Sequence, residues 1–120
     1  MAITRDIEIN QGSDWTMTLI LKNDDKTVIN LTGYTAKMQA RKTQSNSAQL
    51  YDTLSTEAGN ERIVITALEG KIVLTTPNLI STAYLFDSAY YDLEIVSAGG
   101  LITRLMQGVY SYNKGVTVNV

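Results

Sequence analysis

Residues 12–42 read GSDWTMTLILKNDDKTVINLTGYTAKMQARK. The first run places Trp15, Met17, Leu19 and Leu21 on one side and Thr16, Thr18, Ile20 and Lys22 on the other. Asn23-Asp24-Asp25-Lys26 breaks it. The second run places Tyr34, Ala36, Met38 and Ala40 on one side and Thr35, Lys37, Gln39 and Arg41 on the other. Successive side chains of a strand point to opposite faces, so a period of two with one apolar set describes a sheet with one buried and one wet face. The segment predicts strands over Asp14–Lys22 and Tyr34–Arg41, with a short extended piece over Thr27–Leu31.

The rest of the chain follows the same rhythm. Strands are predicted over Thr4–Asn10, around Leu50–Leu54, over Arg62–Thr66, Lys71–Thr75, Tyr90–Ser97 and Leu101–Tyr112, and over Val116–Val120. In the Leu50 strand, Asp52 shares a side with Leu54. Thr43–Gln49 and Ser55–Glu61 are polar and read as loops. Ala98-Gly99-Gly100 reads as a hairpin turn, and Gly108 as a bend in the strand that follows. Pro77 is the only proline. With Thr76 as N-cap it would open one short helix within 77–86. The expected fold is all-β: one domain spanning 1–120, an antiparallel two-sheet sandwich with at most that helix.

Composition narrows the chemistry. The 120 residues contain neither cysteine nor histidine. There is no thiolate nucleophile, no disulfide, no imidazole base and no Ser-His-Asp arrangement within one chain. Asp24 and Asp25 read as a turn, and Asp92 and Glu94 as the wet side of the strand carrying Tyr91, Leu93 and Ile95. An enzyme is not expected, nor a cofactor or metal. The net charge of −2 argues against nucleic acid, and no run of about 18 apolar residues is present to span a membrane.

Seven tyrosines are the unusual usage. Tyrosine favours strands and is enriched at interfaces, where the ring packs and the hydroxyl stays satisfied. Tyr90, Tyr110 and Tyr112 are candidate protein-interface residues. The terminal Val116-Thr117-Val118-Asn119-Val120 is β-branched, and Val116, Val118 and Val120 are candidates for an edge that pairs with a neighbouring subunit.

Gln11-Gly12, Asp14-Trp15, Leu19–Lys22 and Ile29–Arg41, together with Tyr91-Asp92-Leu93-Glu94 and Thr103-Arg104-Leu105 through Gly108, resemble small tailed-bacteriophage virion proteins. The pattern is similar to the N-terminal domain of phage baseplate upper proteins. Leu31–Arg41 carries the resemblance most specifically. The Thr43–Gln49 insert and the Tyr110-Ser111-Tyr112-Asn113 ending depart from it. The resemblance implies an immunoglobulin-like sandwich made in the host cytoplasm and built into the virion. There it would act in a neck, tail, baseplate or fibre attachment, binding other virion proteins as a homo-oligomer or in symmetric multiple copies. A capsid decoration protein and a glycan-binding adsorption module are the alternatives.

Overall fold

The computed structural model describes residues 2–116. Its strands are β1 (Ile3–Thr4), β2 (Ile7–Asn10), β3 (Trp15–Ile20), β4 (Thr35–Arg41), β5 (Leu50–Ser55), β6 (Ile63–Thr66), β7 (Lys71–Thr76), β8 (Ser88–Val96) and β9 (Ile102–Asn113). A 3-10 turn, Ala67–Glu69, joins β6 to β7, and a one-turn helix α1, Asn78–Thr82, follows β7. The larger sheet runs β9-β8-β4-β5, with β1 and β2 in succession along the outer edge of β9. The smaller sheet runs β3-β7-β6. This is the strand grouping of an immunoglobulin-like sandwich, with the opening strand moved to the edge of the larger sheet.

The two deciding ladders pack as their period requires. Ala36, Met38 and Ala40 are buried on β4, opposite Ile95, Leu93 and Tyr91 of β8. Trp15, Met17 and Leu19 of β3 lie partly buried against the same core, while Thr16, Thr18 and Ile20 face out. From the smaller sheet, Ile63, Ile72 and Leu74 close the core beneath them. Asp92 and Glu94 lie on the outer side of β8, opposite its buried Tyr91, Leu93 and Ile95. Asp25 accepts hydrogen bonds from the Thr27 amide (3.0 Å) and hydroxyl (2.6 Å), the side-chain turn expected of that acid.

Several local expectations are corrected. The sandwich is not wholly antiparallel, because β1 and β2 run parallel to β9. The predicted first strand is split at Arg5-Asp6. Arg5 N–H donates to Gln107 O (2.8 Å), and the Asp6 carboxylate accepts the Val109 amide (3.0 Å). Gly108 makes this possible, since a Cβ there would lie 2.4 Å from Arg5 O. β9 nevertheless runs continuously through Gly108. Its irregularity comes earlier, where Leu93 pairs with Met106 but Glu94 with Arg104, leaving Leu105 as the extra residue of a bulge.

Thr27–Leu31 forms only an isolated bridge, Val28 to Lys22, and Leu31 turns into the core. The helix is shorter than 77–86, and Thr76 is not its cap. Thr76 ends β7, buried, and Pro77 occupies the N-cap position. The first-turn amide of Asn78 donates instead to Asp14 Oδ1 (2.7 Å), a residue distant in sequence.

Candidate interaction surfaces and a buried polar clasp

The densest polar chemistry of the described residues lies at the α1 end of the sandwich, between the sheets. Asp52 of β5 shares its strand side with buried Leu54, so its carboxylate enters the interior. Arg62, just before β6, meets it from the other sheet. Nη1 donates to Asp52 Oδ1 (2.7 Å) and Nη2 to Oδ2 (2.9 Å), a fork-to-fork pair with side chains only 12% and 11% exposed. The remaining guanidinium protons go to Thr53 O (3.3 Å), Thr76 Oγ1 (2.8 Å) and Thr75 O (3.1 Å). All five donors of the arginine are used. Burial works against its charge, but the hydrogen bonds and attraction of Asp52 outweigh it and raise its pKa.

Two phenols complete the clasp. Tyr84, beyond α1, donates to Asp52 Oδ2, and its oxygen lies 2.9 Å from that of Tyr110. The carboxylate can only accept, so the Tyr84 proton goes to it and the Tyr110 hydroxyl donates to Tyr84. Burial pushes the pKa of both phenols up. The groups satisfy one another completely, and no buried side-chain nitrogen or oxygen among the described residues lacks a partner. Such an arrangement fixes the sheets and leaves no free group for acid-base work. Among the described residues no three Asp or Glu side chains converge as metal ligands.

The predicted interface residues separate. Tyr90 is 40% exposed on the outer face of β8. Tyr110 and Tyr112 belong to the core, at 0% and 5% exposure, and are withdrawn as surface candidates. The physical cause is the Leu105 bulge. Even positions Ile102 and Arg104 face solvent before it, and even positions Met106, Tyr110 and Tyr112 face inward after it. Tyr112 donates to Ser81 O (2.6 Å), tying β9 to α1. Val116 is fully exposed and in no strand; Val118 and Val120 lie outside the described residues.

Two surfaces were not singled out by the sequence. One centres on exposed leucines. Leu85 is 99% exposed beside a shallow recess of mixed character lined by Gln49, Leu50, Tyr51 and Phe86, with Tyr51 stacked on Phe86 at 4.5 Å. Leu79 of α1 projects in the same segment, 82% exposed. The other is a polar trough on the outer face of β4, β8 and β9, lined by Gln39, Arg41, Tyr90, Asp92, Arg104 and Gln107 and flanked by the 43–46 loop. Its charges are partly tied to each other: Arg104 Nε lies 3.4 Å from Asp92 Oδ2, and Arg41 Nη2 donates to Gln39 (3.0 Å).

The sheet edges also differ. On β5 the Thr53 amide is bonded by Asp52 Oδ1 (2.9 Å) and the Thr53 carbonyl by Asn60 (2.9 Å) and Arg62, which closes that edge to a further strand. β1 and β2 are short and broken at Arg5-Asp6, and β6 has four residues. Among the described residues only β3, Trp15–Ile20, with Leu21 continuing it, presents an open run of this length with no charge and no proline.

No family model matches the chain, and no curated protein matches it.

Proposed function

We propose that the chain is a bacteriophage virion structural module of the neck, tail, baseplate or fibre-attachment region, present in multiple copies and binding other virion proteins. The observation that carries a protein-contact role is Leu85, wholly exposed beside the Leu50–Tyr51–Phe86 recess. A large apolar side chain held out in solvent beside a recess of mixed polar and aromatic lining is a feature of protein interfaces. The phage assignment is supported by the sequence resemblance centred on Leu31–Arg41. Immunogold labelling of purified virions tests it: decoration at the tail or its base is expected, whereas uniform head decoration favours the capsid cement alternative. Particles devoid of the chain contradict both.

The polar trough favours a second reading, adsorption to a glycan. Tyr90 offers a ring for stacking and Asp92, Arg104 and Gln107 offer planar polar groups for hydroxyls. A glycan array with the wild type and Tyr90→Ala separates this reading. Specific hits lost in the variant support it, and an empty array removes it.

A further inference from the structure

We propose that β3 is a homotypic docking edge, pairing antiparallel with β3 of a second copy across a two-fold axis through Thr18. The argument begins with a gap in the smaller sheet. β3 is bonded to β7 on one side, and among the described residues its other edge carries no strand. The Leu21 amide donates to Gly70 O (2.8 Å), so odd-numbered residues direct their backbone groups toward β7. Backbone groups alternate along a strand, so Thr16, Thr18 and Ile20 direct theirs to the open edge. The packing shows the same gap. Ile72 and Leu74 of β7 are 0% exposed, but Met17 and Leu19 opposite them remain only partly buried. A strand added along β3 covers that flank.

The occupant is chosen by self-complementarity. With Thr18 opposite Thr18, Thr16 faces Ile20, and both pairs exchange backbone hydrogen bonds through the open groups. On the inner side Met17 faces Leu19 and Trp15 faces Leu21. At the two ends Asp14 faces Lys22, so each dimer gains two pairs of opposite charge from exposed residues. Sliding by two residues in one direction sets Asp14 opposite Ile20, and in the other sets Asp14 opposite Asp24. Only the Thr18-centred register matches the charges. Among the described residues no other edge offers an equivalent run: β5 is closed by Asp52, Asn60 and Arg62, and β1, β2 and β6 are short. The pairing joins two three-stranded sheets into one of six strands, and it does not depend on the virion assignment.

Three measurements test it. Analytical ultracentrifugation of the wild type should show a concentration-dependent dimer. Thr18→Pro removes an amide that points away from β7, so the fold should survive, as judged by its melting transition, while the dimer is lost. Thr18→Lys sets two like charges on the axis and should give the same loss if the proline variant unfolds. Lys22→Glu should raise the dimer dissociation constant about tenfold. The register is read by cross-linking, which the absence of native cysteine makes clean. Hydrogen-bonded antiparallel partners stand about 5.5 Å apart at Cα, inside the disulfide range. Thr18→Cys should therefore oxidise to a covalent dimer faster than Thr16→Cys or the loop control Ser45→Cys. A wild type that stays monomeric at its highest soluble concentration, or equal oxidation rates for the three cysteines, overturns the proposal even if the chain is found in virions.

Discussion

Asp52 and Arg62 are joined by two parallel hydrogen bonds, 2.7 and 2.9 Å, that clasp the edge of the larger sheet to the smaller one. Removing one partner leaves the other charge buried alone. Arg62→Met and Asp52→Leu should each cost about 3–5 kcal/mol. The double variant should cost less than the sum, because it removes both charges. A double-mutant cycle by urea denaturation gives the coupling; strictly additive losses would show that the pair does not act as a unit.

Alkaline pH should attack the buried tyrosines, those of the clasp and Tyr91, whose ring lies 6.2 Å from that of Tyr110. Burial, the largest cause, pushes Tyr91 from the ordinary phenol value of 10.0 up to about 12, with Asp6 adding to it and Arg5 opposing it. Tyr84 and Tyr110 are shifted in the same direction. The folded chain thus holds phenolic protons that the unfolded chain releases. This stabilisation is intact below pH 10 and is lost as pH rises through the window to about 12, at roughly 1.4 kcal/mol per pH unit for each tyrosine involved. Unfolding free energies measured across that window should fall with pH. Tyrosinate absorbance should show these phenols ionising together with loss of the fold.

Gly108→Ala places a methyl group against the Arg5 carbonyl and should cost about 1–3 kcal/mol. The damage should be local, with β1 detaching from β9 at the Arg5–Gln107 hydrogen bond. Amide exchange should report faster exchange at Arg5 while β4 and β8 stay protected. Unchanged protection of Arg5 would mean that the close approach is not needed.

Burial ranks two core variants. Met38 is 0% exposed, and Met38→Ala should cost about 2–5 kcal/mol. Trp15 is only partly buried, so Trp15→Ala should fall below the roughly 3–5 kcal/mol of a fully buried tryptophan. Thermal melts compare the two directly.

The sequence carried the fold in those places where one face of a strand is apolar throughout. β3 and β4 alternate without interruption, and their inner sides are those the period picks out. Tyr110 and Tyr112 stood out by residue type alone, and nothing in the sequence marks the extra residue at Leu105 after which the even positions of β9 face inward. The clasp was half legible. An acid at Asp52 on the side of Leu54 called for a buried partner, but nothing local indicates Arg62, which comes from another sheet, or Tyr84, which arrives beyond α1. The spacing of Leu79, Ala83 and Phe86 suggests one side of a short helix within 77–86. The helix stops at Thr82, so Leu85 lies beyond it and faces solvent.

Leu85→Asp separates contact from stability. The side chain is fully exposed, so its replacement should change stability by less than about 0.5 kcal/mol. Amide exchange compared between the free chain and the chain in purified virions then tests the account most directly. Strong protection over residues 79–86 in the particle, lost together with incorporation in Leu85→Asp, is the predicted result. Unchanged exchange over that segment, or normal incorporation of the variant, contradicts the claim that this end of the sandwich is a protein-binding surface.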